Sequence, residues 1–167
     1  YPFGGYQIIW DINQQKFLFQ VANSDNWQSV APAITSELGK SYFVSGVYDA
    51  DNSQLNIYID GILQGTEDAV GNIRHIDNPV QIGLNDNSYY NGLIDQISIW
   101  DEALTSEQID LLYNNQNYDL QDGLIAYYKF NAGTGTTLYD HSGNGNHGTI
   151  HGGATWAGCT NPNATNY

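Results

Sequence analysis

Strict alternation constrains this chain more than any other feature. In Gln54-Leu55-Asn56-Ile57-Tyr58-Ile59-Asp60, the residues Leu55, Ile57 and Ile59 recur every second position and therefore share one face of a strand. That face should meet a core. Asp60-Gly61 follows at once and supplies the positive-φ turn chemistry that would reverse the chain into Ile62-Leu63. Similar short runs, punctuated by Gly, Asn and Asp, recur along most of the sequence. Runs 6–12 and 16–21 flank the polar connection Asn13-Gln14-Gln15 and predict a hairpin, and runs 41–48, 80–84, 93–100 and 124–130 predict further strands. One segment has helical logic instead. Thr105-Ser106-Glu107-Gln108 is a capping box, with Ile109, Leu112 and Tyr113 on one helical face and Asn114-Asn115 at the end. Many short strands and one short helix predict an all-β sandwich.

Charge narrows the partners. Four Lys and Arg against eighteen Asp and Glu give a formal net charge of −14, which repels phosphate backbones and anionic headgroups. Nucleic-acid binding and peripheral membrane binding are excluded on this ground, and no apolar run approaches the roughly 20 residues of a spanning helix. A single cysteine, Cys159, excludes an internal disulfide and a multi-cysteine metal site. The 13 Tyr and 18 Gly among so few lysines resemble the exterior of secreted bacterial modules, which predicts an extracellular or bacterial cell-surface location. With no Met and strand-like sequence from the start, the chain is expected to be part of something longer.

The segment GLIDQISIWDEALTSEQIDLLYNN, residues 92–115, resembles the closing signature of laminin-G-like and pentraxin-like domains of the concanavalin A-like group. Its elements are a Gly-hydrophobic-hydrophobic-Asp strand (Gly92 to Asp95), the aromatic Trp100, the turn Ala103-Leu104-Thr105, the acidic Glu107 and the short helix. Upstream, GKSYFVSGVYDADNSQLNIYIDGILQG is similar to the paired central strands of that family, and GLIAYYKFNAGTGTTLYDHSGNGNHGTIHGGATW is similar to a segment common in its bacterial relatives. The resemblance implies a jelly-roll sandwich of two antiparallel sheets over residues 1–157, with 158–167 a linker or the start of a Cys-containing repeat. Residues 122–157 either complete this domain or open a second one. The family places several strands before the 6–21 hairpin that have no counterpart here, which leaves sheet edges to be covered by another segment.

The resemblance to pentraxins implies a calcium loop at Asn85, Asp86 and Asn87, where hard oxygen donors precede Tyr89-Tyr90; an Asx-rich turn is the alternative. Asp140 opens a second acidic, Gly-rich turn with calcium-loop spacing to Asn144 and Asn146, but it lacks a terminal bidentate carboxylate, so a surface turn is the simpler expectation. Asp95 falls on the Leu93, Ile97 and Ile99 face and is expected to point into the core, held by amides, a hydroxyl or a metal. His141, His147 and His151 invite zinc, yet Gly145, Gly148, Gly152 and Gly153 preclude a metal-binding helix there. Trp27 after Asn23 to Asn26, and Tyr89 and Tyr90 after Asn85 to Ser88, each pair an aromatic with short polar side chains. That combination suits sugar recognition, where a ring covers C–H surface and amides bind hydroxyls; packing on the sandwich flank is the alternative, preferred for Trp10 and Trp100.

Catalysis is not expected. Glycoside hydrolysis requires two carboxylates flanking one bond, and Glu37, Glu67, Glu102 and Glu107 form no such pair in the sequence. No nucleophile elbow appears either. The sequence therefore predicts a non-catalytic module binding carbohydrate or glycoprotein, with calcium as a candidate cofactor and neighbouring domains of a larger protein as partners. A structural module completed by strands from a neighbouring chain or domain is the alternative.

Overall fold

A computed structural model describes residues 5–23, 26–85, 88–115 and 122–156. The chain divides into two compact units, one of Tyr1–Asn78 with Ala103–Asp119, the other of Pro79–Glu102 with Leu120–Tyr167. Cys159 lies outside the described residues.

In the first unit, β1 (Tyr6–Asp11), β2 (Lys16–Ala22) and β3 (Trp27–Val30) form one antiparallel sheet. A second contains β4 (Val44–Asp49), β5 (Gln54–Ile59) and β6 (Ile62–Asp68). The predicted first hairpin is present in register, with Tyr6 opposite Val21 and Asp11 opposite Lys16. Its turn is organised by Asp11, whose Oδ1 accepts from the N–H of Asn13 at 2.8 Å and of Gln14 at 3.1 Å. The alternation of β5 is realised as expected: Leu55 and Ile57 are wholly buried and pack with Phe19, Val21 and Val30 of the facing sheet. Each such side chain contributes about 1.5–3 kcal/mol of burial.

Two glycines make this packing possible. A Cβ on Gly46 would overlap the Phe19 ring, and one on Gly65 would overlap the Ala31 carbonyl oxygen. The β5–β6 turn is built as predicted, with Asp60 and Gly61 at φ of +52° and +78°. Asp60 also fixes the start of the second sheet, because its Oδ1 accepts from Phe43 N–H at 2.9 Å while its own N–H donates to the Phe43 carbonyl at 2.8 Å.

The helix α1 (Ser106–Asn115) begins at the predicted box: Gln108 N–H donates to Thr105 Oγ1, and Thr105 N–H donates to Gln108 Oε1. Ile109 and Leu112 are buried, and the Tyr113 ring packs 5.8 Å from that of Phe43 and beside Gly61.

The second unit is built from shorter strands: β7 (Leu84–Asn85), β8 (Ser88–Tyr89), β9 (Ile97–Trp100), β10 (Leu124–Tyr128), β11 (Thr137–Leu138) and β12 (Gly148–Thr149). They pair antiparallel as β7 with β8, β9 with β10 and β11 with β12. Ala126, Tyr128 and Leu138 form its core with Ile97 and Ile99 against them.

Here the strands expected over 80–84, 93–100 and 124–130 are truncated, and the backbone gives the reason. Gly83, Gln96 and Phe130 sit at φ of +78°, +47° and +52°, where an extended strand cannot continue. The break at Gln96 also corrects the reading of Asp95. Its position out of alternation with Ile97 leaves it exposed, like Leu93, rather than aimed at the core.

Candidate functional site

Asn85, Tyr89 and Tyr90 come together on one hairpin of the second unit. Leu84 pairs with Tyr89 and Asn85 with Ser88, and the Tyr90 N–H closes the base by donating to the Gly83 carbonyl at 2.9 Å. Asp86 and Asn87 lie outside the described residues. Tyr89 is 70% exposed and Tyr90 46%, with Asn85 exposed beside them. Neighbouring glycines give the rings room: a Cβ on Gly92 would come within 2.6 Å of Tyr90 Cε1, and one on Gly152 within 3.2 Å of Tyr89 Cε1. The hairpin thus presents two phenol rings and an amide to solvent, the group types that engage a pyranose.

Trp27 belongs to the first unit, on β3, half-buried opposite Ala22. The loop before it is shaped by Asn23, whose Oδ1 accepts from Asn26 N–H at 3.0 Å. Trp10 stacks edge-on to Phe17 with centroids 5.1 Å apart, and Trp100 donates Nε1–H to Ser98 Oγ at 3.0 Å; both are half-buried.

Asp140 is buried, and its carboxylate organises the loop that follows. Oδ1 accepts from the N–H groups of Tyr127 and Ser142, both at 2.9 Å. Oδ2 accepts from Ser142 Oγ–H at 2.8 Å and Asn146 N–H at 2.9 Å. Burial pushes this carboxyl up, but the four donors outweigh it and hold it down at about 2. They also fill its acceptor positions, so Asp140 has no lone pair to offer a cation.

The loop's other polar residues are similarly engaged. Asn144 and Asn146 donate to the Ile125 carbonyl at 3.1 and 2.9 Å. His147 Nδ1 accepts from Asp140 N–H at 3.0 Å, while His141 packs on Tyr127. Among the described residues no three His, Cys, Asp or Glu side chains converge as a metal centre. Of the residues expected to bind calcium, only Asn85 is described and uncommitted.

A further site was missed by sequence reasoning. The outer face of the β4–β5–β6 sheet and the start of α1 border an open cleft of about 470 Å³ in the first unit. Across its floor, Val47, Asn56 and Thr66 stand in register on the three strands, and Asp49 and Gln54 pair one step along. Tyr58, buried at one end, places its hydroxyl 3.1 Å from Ser106 Oγ. The signal was present in the alternation of β5, whose Gln54, Asn56 and Tyr58 are the complement of its core face.

The family model for concanavalin A-like lectins/glucanases matches residues 3–110, more than half of the chain. No curated protein sequence matches it. One similar solved structure is a "putative carbohydrate binding protein" from Bacteroides ovatus, with a TM-score of 0.61 at 16% identity, covering 83% of this chain and 43% of that one. Another is an S-layer domain-containing protein from Clostridium thermocellum, with a TM-score of 0.41 at 20% identity, covering 66% of this chain and 64% of that one. The chain thus spans less than half of the first of these proteins.

Proposed function

We propose, from the premise that this chain belongs to the concanavalin A-like lectin/glucanase superfamily, that it is a non-catalytic carbohydrate-binding and adhesion module of a larger secreted or cell-surface protein. The observation that carries the reading is the β7–β8 hairpin, where the Tyr89 and Tyr90 rings stand open to solvent beside Asn85. A sugar stacking there would lose little to side-chain ordering, because each phenol has only two torsions to fix. The ligand is a glycan or glycoprotein without dense negative charge, given the net charge of −14.

Two of the acids are unsuited to the general-acid role of a glycosidase. Asp140 and Asp49 are both held below the ordinary carboxylate range, Asp49 by hydrogen bonds from the Asn52 side chain and backbone. A glycosidase acid requires the opposite shift. Calcium enters the proposal only at Asn85, Asp86 and Asn87, as an ion held by their side-chain oxygens.

Glycan-panel calorimetry tests the saccharide part and thermal melting the calcium part. The wild-type chain should bind at least one neutral saccharide, and Y89A/Y90A should weaken that binding at least tenfold. Wild-type affinity retained by the double variant for every saccharide that binds would remove the hairpin reading. A melting temperature unchanged between Ca²⁺ and EDTA would remove the calcium part, since an ion bound only by the folded state stabilises it by mass action.

A second reading, a module completed by a neighbour's strand, has one observation in its favour. Tyr6 and Ile8 share the core-facing side of the edge strand β1, yet each is 47% exposed. A chain that stays monomeric at high concentration in ultracentrifugation would count against strand exchange between copies.

A further inference from the structure

The hairpin leaves the cleft on the first unit without a role. We propose that this cleft is a separate saccharide site, selective for sugars that are uncharged or carry a protonated amine. Its volume of about 470 Å³ falls within the range of small-molecule sites, roughly 300–1,000 Å³. The lining combines a few apolar surfaces, Val47, Leu63 and Leu104, with a larger set of amides, hydroxyls and carboxylates. That balance suits a polyol better than a hydrocarbon.

The polar groups are arranged to act on a ligand. Thr66 Oγ1–H donates to Asn56 Oδ1 at 2.7 Å, which fixes the amide's orientation and leaves its Nδ2 protons available as donors. Two lone pairs on Thr66 Oγ1 remain to accept. The Gln54 side chain, in the adjacent row, makes no hydrogen bond among the described residues, so both ends of its amide are available. Strands about 4.8 Å apart place these groups at a spacing that matches hydroxyls on one or two sugar rings. The hydrogen bonds from Asn52 to Asp49 occupy one acceptor position on each carboxylate oxygen, at 3.0 and 2.8 Å, and the Asp51 N–H also points to this carboxylate, so part of its acceptor capacity remains for a ligand.

Charge supplies the selectivity. Asp49 and Glu107 both line the cleft, and none of the lining residues is basic. A uronate or sulfated sugar entering it would bring a negative charge near two carboxylates, opposed only by the partial positive charge at the start of α1, whereas an ammonium group would be attracted. This inference does not rest on the tyrosine hairpin, and the two can fail separately.

The full chain should be titrated calorimetrically with cellotetraose, an unacetylated glucosamine tetrasaccharide and tetragalacturonate, in wild type, N56A/T66V and Y89A/Y90A. The expected result is binding of cellotetraose, the glucosamine oligomer or both, weakened at least tenfold in N56A/T66V and retained in Y89A/Y90A, with no binding of the uronate. The side-chain amide resonances of Asn56 and Gln54 in wild type should shift on addition of the same ligand, a readout that does not depend on how the variants fold. Affinity unchanged in N56A/T66V, uronate bound as well as the others, unshifted amides, or no binding of any probe would each overturn the proposal. Loss in Y89A/Y90A alone would leave the hairpin as a binding site and remove the cleft.

Discussion

Replacing Asp140 by Asn probes the most heavily engaged carboxylate of the second unit. The substitution preserves shape but exchanges one acceptor oxygen for an NH₂ group. With the amide oxygen kept toward Tyr127 and Ser142 N–H, the new NH₂ faces the Asn146 N–H, a part-buried donor that loses its acceptor. Ser142 Oγ can rotate to accept instead. A buried donor left unpaired costs about 1–3 kcal/mol and a part-buried one the lower end of that range, and the loss of charge assistance on the remaining bonds brings the sum to about 2–3 kcal/mol. For a chain of this length the melting temperature should fall by about 5–10 °C at pH 7.

The wild type carries its own internal check on this reasoning. A displacement from 3.8 to about 2 is worth about 2 kcal/mol at full linkage, and about 1 kcal/mol once solvent screening at the loop rim is allowed for. Because the folded-state value is depressed, this stability is fully present above about pH 4. It is lost as pH falls through about 2. Calorimetric melting of both proteins from pH 7 to pH 2 should therefore show a gap that narrows only below pH 4. A constant gap, or D140N melting with the wild type at pH 7, would refute the role assigned to the carboxylate.

Three further outcomes follow from the packing and the cap. G46A forces a methyl group against the Phe19 ring and should cost about 1–3 kcal/mol in urea unfolding, partly restored by F19L; an unchanged midpoint would contradict the packing described. T105A removes the side-chain half of the capping box and should cost about 1 kcal/mol, whereas T105S should be nearly neutral. Y89A/Y90A, at an exposed hairpin, should shift stability by no more than about 0.5 kcal/mol while lowering saccharide affinity, so a large loss of stability would assign the rings to packing instead.

The first unit was legible because its signals are local and agree with one another. In β5 the alternation, the Asp60-Gly61 turn and the run of Ile and Leu all specify the same strand and the same face, and Leu55 and Ile57 lie where that pattern puts them. The capping box needs only four consecutive residues, and both of its hydrogen bonds form. In the second unit the run 93–100 satisfied the same alternation test, but a positive φ at Gln96 breaks it, and Leu93 and Asp95 leave the face they were expected to share. Nothing in the identity of a glutamine signals that conformation, because it is imposed by tertiary context rather than by the side chain.

The loop after Asp140 shows how a ligand-like pattern can arise for structural reasons. Asp140, Asn144 and Asn146 have the spacing of a calcium loop, but two backbone segments must be tied together there, and short polar side chains are the means of doing it. The carboxylate gathers amides from Tyr127, Ser142 and Asn146 while the two asparagines return protons to the Ile125 carbonyl. The cleft is the converse case. Gln54 and Asn56 attract no notice as residue types, yet they occupy the outward positions of the strand whose inward positions are the most buried in the chain. A strand that anchors the core on one face holds its other face rigid, and side chains mounted there can meet a ligand without first being ordered. In this chain, the alternation that identifies the core also marks where to look for a preorganised binding surface.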